Sequence, residues 1–314
     1  MAEPKKSKNT SAISTKKPGK FDSDKFRNNY YDQMTSGNPA TGIIQDSGDL
    51  KYTQKLLLAT PTTGLVRMEW VVNRYNQTIP TNWSKTDMIQ YMSGYVPLRY
   101  TVADAQNLAV REAISRNFEW LLFIEHDTIP PVDALLRFTD YMDHAKYPVV
   151  SGLYFTRSVP PEPMVYRGRG NHYFRDWKIS DKIWVDGVPT GMLLVNTKLL
   201  EAVWDDSSEY KTGDGQLTRR VFDTPAKSWF NEIKGAHETL VGTSDLDFCT
   251  RVIKGNYLAK AGWPKIQKQR YPFLIDTNIY CKHINPDGTQ FPIEFPAEFV
   301  PEDPDNYEPR EIKS

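Results

Sequence analysis

The sequence predicts an α/β fold with a mixed, mostly parallel central sheet flanked by helices. Three observations carry that expectation. Strand-like apolar runs alternate with helical spacing from residue 55 to residue 155, the pattern of a parallel sheet with right-handed crossovers. The strand-like runs are continuously apolar, as in strands buried on both faces. One of them, Trp120-Leu121-Leu122-Phe123-Ile124, stops abruptly at Glu125-His126-Asp127, and Thr128-Ile129-Pro130-Pro131 follows. The prolines end the strand. Acids at the carboxyl end of a buried strand sit where open α/β sheets bind their ligands, and hard oxygen ligands suit a divalent cation and a diphosphate.

Each element has its own signal. Residues 1–22 are rich in Lys, Ser, Thr and Pro and read as a disordered basic tail. Residues 23–54 form a polar N-terminal extension with scattered Tyr. The domain proper spans 55–285. It opens with Lys55-Leu56-Leu57-Leu58-Ala59, a short strand closed by a Thr/Pro/Gly turn. Helical spacing runs from Leu65 to Asn76 through Leu65, Met68, Val71 and Val72. An irregular insertion over 77–94 leads to a strand over Tyr95–Thr101. A helix covers Ala103–Arg116, with Ala105, Leu108, Ala109 and Ile114 near one face. After the acid-tipped strand come a helix over Val132–Met142 and a strand over Pro148–Tyr154. Further strands are Trp184–Val188 and Gly191–Val195, followed by a helix from Thr197 to Trp204. Residues 205–243 are polar and glycine-bearing and read as a long mobile loop, a length that in compact domains signals function or disorder. Ser244 is a candidate cap for a helix over Asp245–Lys254 closed by Gly255. Phe273–Ile284 holds a last strand with His283, and 286–314 is an acidic, proline-punctuated tail.

Composition narrows the class. The chain has 314 residues, 25% charged and 39% hydrophobic, with formal net charge +0. That is an ordinary globular balance without a global field toward nucleic acid or anionic membrane. No run is long and apolar enough to span a bilayer. The N-terminal residues lack the apolar core of a secretory signal. The two cysteines, Cys249 and Cys281, give no disulfide framework or zinc spacing, so a cytoplasmic setting is expected.

The order of these motifs resembles the GT-A-fold glycosyltransferases, especially family 2-like members, over residues 55–285. The resemblance implies a Rossmann-like GT-A single domain and transfer of a hexosyl or pentosyl group from a nucleoside-diphosphate sugar. Glu125-His126-Asp127 looks like a variant of the family's Asp-x-Asp motif. It implies that Asp127 is a ligand of Mn2+ or Mg2+ bridging the donor diphosphate, with Glu125 on the ribose or on the metal through water. His283 resembles the late-strand histidine that completes such a metal site. Pro61 and Thr62 after the first strand, Asn107 in Ala105-Gln106-Asn107, Arg157 after the Gly-x-Tyr strand, and Gly191 are the residues implied to line the donor. Gln106 stands where the family carries Arg. Arg157 serves equally well as a surface residue, and Gly191 as a plain tight turn. Ser244-Asp245-Leu246-Asp247 is similar to the family's acidic helix start, which implies that Asp245 is the catalytic base; Asp247 is expected to turn toward structure. A base there implies inversion at the anomeric carbon.

Other classes remain open. Nucleotidyl transfer on a similar sheet wants a Gly-rich basic loop after the first strand, and Pro61-Thr62-Thr63-Gly64-Leu65 holds one Gly and no basic residue. A non-catalytic sugar- or nucleotide-binding protein retaining the fold is a further alternative. The acceptor is a glycan, a protein or modified DNA, the last as for a phage-type enzyme in an infected host cell.

Overall fold

The computed structural model describes residues 55–79, 92–168 and 173–313. The expectations for 1–54 and for most of the 77–94 insertion lie outside these residues. Strands β1 (Leu56–Ala59), β2 (Met92–Tyr95), β3 (Trp120–Ile124) and β5 (Val149–Leu153) alternate with helices α1 (Met68–Tyr75), α2 (Val102–Ser115) and α3 (Ala134–His144). Between β3 and α3 lies a two-residue strand, β4 (Thr128–Ile129). The chain continues through β6 (Lys182–Val185), β7 (Met192–Asn196), α4 (Thr197–Asp205), β8 (Glu209–Lys211), β9 (Leu217–Arg219), β10 (Ala226–Asn231) and β11 (Ala236–Val241). It ends with α5 (Ser244–Lys254), α6 (Tyr257–Lys260), α7 (Pro264–Gln267), β12 (Phe273–Tyr280), β13 (Lys282–Ile284), β14 (Gln290–Phe291) and β15 (Glu311–Ile312).

Among the described residues eight strands form the central sheet, in the order β15-β6-β12-β5-β7-β3-β1-β2. β1 pairs in parallel with β2 and β3, and β12 with β5. β7 runs antiparallel between β3 and β5, and β6 runs antiparallel to β12. The sheet is therefore mixed, and helices flank it. Leu56, Leu57, Trp120, Leu121, Leu122 and Phe123 have essentially no exposed surface. Removing such side chains from water is the main favourable term in folding, about 1.5–3 kcal/mol for each large aliphatic residue.

Three regions differ from the sequence reading, the first being β2, which spans Met92–Tyr95 and not Tyr95–Thr101. Residues 205–243 are not a loop: β8 pairs with β9 and β10 with β11 as antiparallel hairpins. The reversals use glycines at positive φ, Gly215 at 86° and Gly235 at 61°, a conformation that Gly adopts without steric cost. The segment after residue 285 does not trail away either. β14 pairs with β13, and β15 closes the main sheet in parallel with β6.

A carboxylate anchors this last segment. The Asp181 side chain is fully buried. It accepts hydrogen bonds from the Arg310 guanidinium (2.8 and 3.2 Å), the Arg310 backbone N–H (2.8 Å), the Tyr307 hydroxyl (2.6 Å) and the Lys178 N–H (2.9 Å). Burial alone pushes the acid up, but the bonds from Arg310 and Tyr307 hold it below its ordinary value. A depressed carboxylate adds stability above its unfolded pKa, about 3.9, and loses it as pH falls through the folded value. Arg310→Met is expected to lower stability at pH 7 by about 1.5–3 kcal/mol, the worth of hydrogen bonding to a charged group, the Lys178 N–H remaining on the same oxygen. Urea unfolding should show the gap to wild type shrinking by pH 3, because the acid is then protonating in both proteins.

Candidate active site

Because β7 is reversed, its start lies beside the ends of β3 and β5. The Glu125 N–H accordingly bonds the Gly191 carbonyl at 3.0 Å. This rim gathers the ends of β1, β3, β5 and β12, and most of the candidate residues stand on it. The small β14-β13-β4 sheet adds the last piece. It pairs His283 directly with Thr128, and the Ile284 N–H bonds the Asp127 carbonyl at 2.8 Å. A histidine more than 150 positions away in the chain is thereby held next to the acid motif.

Glu125 is half-buried, and its Oε1 accepts from the Thr190 hydroxyl at 2.9 Å. Gln106 Nε2 donates to that same hydroxyl at 3.0 Å. The departure from Arg at 106 thus places a neutral donor that steadies Thr190, which in turn orients Glu125. Burial, then the neighbouring Asp127 charge, push Glu125 up to about 8. Asp127 lies near the surface of the site. Its Oδ2 is paired with Arg157, whereas Oδ1 is buried with no hydrogen-bond partner among the described residues, as is Thr128 Oγ1. Buried polar atoms in native proteins are nearly always satisfied, so each orphan needs a partner from elsewhere. His126, between the two acids, turns away and bonds the Pro61 carbonyl at 3.2 Å, as alternation along a strand requires.

His283 Nδ1 lies 2.5 Å from the Phe155 carbonyl. A carbonyl can only accept, so Nδ1 carries the proton and Nε2 keeps a lone pair. Burial also lowers the imidazole pKa, which favours the neutral ring. Tyr154 packs edge-on against this ring at 4.7 Å, and its hydroxyl accepts from the Gly191 N–H at 2.7 Å. A Cβ on Gly191 would come within 2.6 Å of that hydroxyl and 2.7 Å of Thr128 Oγ1. The glycine is thus required by close approach and is more than a tight turn.

Asp245 is the second residue of α5. Thr243 occupies the N-cap position and makes no side-chain cap bond, so Ser244 is the first helical residue and not the cap. Asp245 Oδ1 accepts from the Leu246 N–H at 2.8 Å. Burial raises the acid, and its charge is among those that raise Glu125 and Tyr154. Asp247 feels Arg251 and Asp223 instead, and its Oδ2 is buried and has no partner among the described residues. The two acids therefore point to different places.

Pro61 and Thr62 continue β1 onto the rim. Thr62 exchanges backbone bonds with Pro97 and Arg99 at 3.2 and 2.9 Å. Asn107 differs. Its amide donates to the Phe222 carbonyl (2.9 Å) and the Tyr210 hydroxyl (3.0 Å) and accepts from the N–H groups of Val221 and Phe222 (3.0 and 2.8 Å). That uses its full bonding capacity, so it fastens the 221–222 backbone to α2 and has nothing left for a ligand. The sequence reading did not single out Thr190 or Tyr154 for a role of their own, although both lie in stretches it quoted.

As to a metal, no group of three or more His, Cys, Asp or Glu side chains forms a metal-holding set among the described residues. The protein offers two candidate ligands, Asp127 and His283. The free Oδ1 and the free Nε2 lone pair are the donor types that Mn2+ or Mg2+ accepts, and further ligands would come from phosphate oxygens and water.

No protein-family model and no curated protein sequence matches the chain. Among solved structures it is similar to A197 from STIV, at 14% identity over 75% of this chain and 92% of that one, with a TM-score of 0.43. It is also similar to S. aureus TarS 1–349 in complex with UDP-GlcNAc, at 12% identity over 50% of this chain and 48% of that one, with a TM-score of 0.32. The TarS 1–349 complex with UDP gives 16% identity over 50% of each chain and a TM-score of 0.32. The chain thus spans about half of the TarS 1–349 chain.

Proposed function

We propose that this protein is a glycosyltransferase that moves a sugar from a nucleoside-diphosphate sugar to an acceptor hydroxyl, with inversion at the anomeric carbon. The observation that carries this reading is the meeting of Glu125, Asp127, His283 and Arg157 at one rim of the sheet, with the buried Asp127 Oδ1 left unpaired and the Asp245 charge reaching the same place.

In this reading Asp127 and His283 hold a divalent cation. Bound there, the metal would neutralise charge on the departing diphosphate. Arg157 lies against the same leaving group and supplies a fixed positive charge. Pro61 and Thr62 border the nucleotide. Glu125, locked by Thr190, faces the ribose. Gly191 borders the donor sugar through its backbone, its side-chain position being taken up by Tyr154 and Thr128. Asp245 takes the proton from the acceptor hydroxyl as its oxygen bonds to the anomeric carbon and the bond from that carbon to the diphosphate oxygen breaks. Partial burial makes this carboxylate a stronger base than a solvated one. The acceptor classes that fit the chemistry are glycans, proteins and hydroxylated bases of modified DNA.

The test is a donor screen on the full chain, with UDP-, GDP-, TDP- and ADP-sugars in the presence of Mn2+. At least one donor is expected to be hydrolysed slowly to free sugar and nucleoside diphosphate. Calorimetry showing that no nucleoside diphosphate binds would refute the reading.

A further inference from the structure

A second cleft lies at the opposite end of the sheet. It has a volume of about 450 Å³ and is lined by Tyr147, Trp184 and Trp263 together with Lys146, Lys265 and Lys313. Tyr147 precedes β5, and Trp184 pairs with Leu274 near the start of β12. The proposed active site lies off the far ends of these same strands. β5, which runs between them, is 5 residues long, so the two sites are separated by roughly 17 Å of strand.

The chemistry of this cleft is distinctive within a chain of net charge +0. From Cys249 to Ile275 there are six basic residues and no acidic one. Of these, Arg251 turns inward to the Val221 carbonyl and Lys260 pairs with Asp206. Lys265, Lys268 and Arg270 are exposed and make no ion pair among the described residues. Lys146 and Lys313 are exposed beside them. Glu311 is the one acid lining the cleft, and it is engaged by the Trp184 indole N–H at 2.9 Å and by Lys313 at 3.4 Å. The aromatic walls are fixed in place. Trp263 Nε1 donates to the Ala145 carbonyl at 3.0 Å, and the Tyr147 and Trp184 rings are in contact at 5.5 Å. Between Ile233 and Ile293 no large hydrophobic side chain is exposed among the described residues. A membrane-seated surface would need such a face.

We propose that this cleft binds a nucleotide unit, stacking its base on the Tyr147–Trp263 walls and holding its phosphate with Lys146 and Lys265. Fixed aromatic rings interleaved with exposed cations are the arrangement by which proteins take up single-stranded nucleic acid without sequence preference. A cleft of this size admits one base and excludes a duplex. The unit comes either from a free nucleotide or from a single strand, and the experiment separates the two.

Binding of a fluorescein-labelled twelve-nucleotide thymidine strand to the full chain is followed by anisotropy as salt is raised. The expected log–log slope is about −0.7, as for one phosphate neutralised on a single strand. The exposed double variant Lys146→Glu/Lys265→Glu, checked for folding by circular dichroism, should weaken binding about tenfold or more, whereas Asp127→Ala should not. Competition by thymidine monophosphate identifies the free nucleotide as ligand; competition by unlabelled strand alone identifies the strand. Three results would overturn the proposal: unchanged affinity in the double variant, an equal loss in Asp127→Ala, or binding to phosphatidylserine vesicles with none to the strand. None of these depends on whether the rim transfers a sugar.

Discussion

Asp245→Asn is expected to lose sugar transfer by about 100- to 10,000-fold, the usual contribution of a positioned base. Asparagine keeps the shape and can still accept the Leu246 N–H bond, so α5 should start as before. What disappears is the ability to take a proton. Donor binding, measured by calorimetry, should stay within about twofold, because base and diphosphate sites act on different atoms. Asp247→Asn is the matched control on the same helix. It replaces a buried acid whose Oδ2 has no partner among the described residues, and burial has raised that acid. A neutral amide there should change stability more than rate. Near-wild-type transfer by Asp245→Asn, or dead but folded Asp247→Asn, would reverse the assignment.

Removing Asp127 should have the other large effect. Asp127→Ala is expected to abolish Mn2+-dependent binding of the donor nucleotide, a loss of about 100-fold or more for a ligand set that then retains only His283. The fold should survive, since Asp127 is partly exposed and its backbone bonds to Ile284 do not involve the side chain. Arg157 would lose its ion-pair partner, so residual binding should become metal-independent and weaken with salt. Calorimetry with and without Mn2+ reads both components. Equal metal-dependent affinity in wild type and variant would remove Asp127 from the metal role.

Most strands of the central sheet were legible because burial on both faces writes itself into sequence as unbroken apolar runs; β2 and β15, short and largely polar, were not. β3 and β5 are apolar enough to be found without any partner known. The hairpins β8–β9 and β10–β11 were not legible for the opposite reason. Glu209 and Lys211 are exposed, as are Trp229 and Phe230 on the second hairpin. The inward pair of the first hairpin, Tyr210 and Thr218, is polar, so no apolar period of two shows there, and the glycines at the reversals read as loop. Asp127 and Asp245 could be singled out because strand ends and helix starts are local features. That His283 stands opposite Thr128 could not, since it depends on β4, a strand of two residues recognisable only once its partner is present. Asn107 shows the limit of position in a motif: the α2 face it occupies looks toward residues 221–222, a fact set by packing.

The pairing of Glu311–Ile312 with β6 bears on how the molecule avoids its own kind. A strand at the margin of a sheet offers unmatched N–H and C=O groups to any other chain that arrives extended. Here those of Lys182 and Ile183 are already matched by Glu311 and Ile312, and the Asp181–Arg310 contact fastens the cover in place. Cutting the chain before Arg310 would therefore do more than shorten it. It would uncover a ready template for strand addition, so a truncated form should be prone to self-association even if its catalytic rim stayed intact.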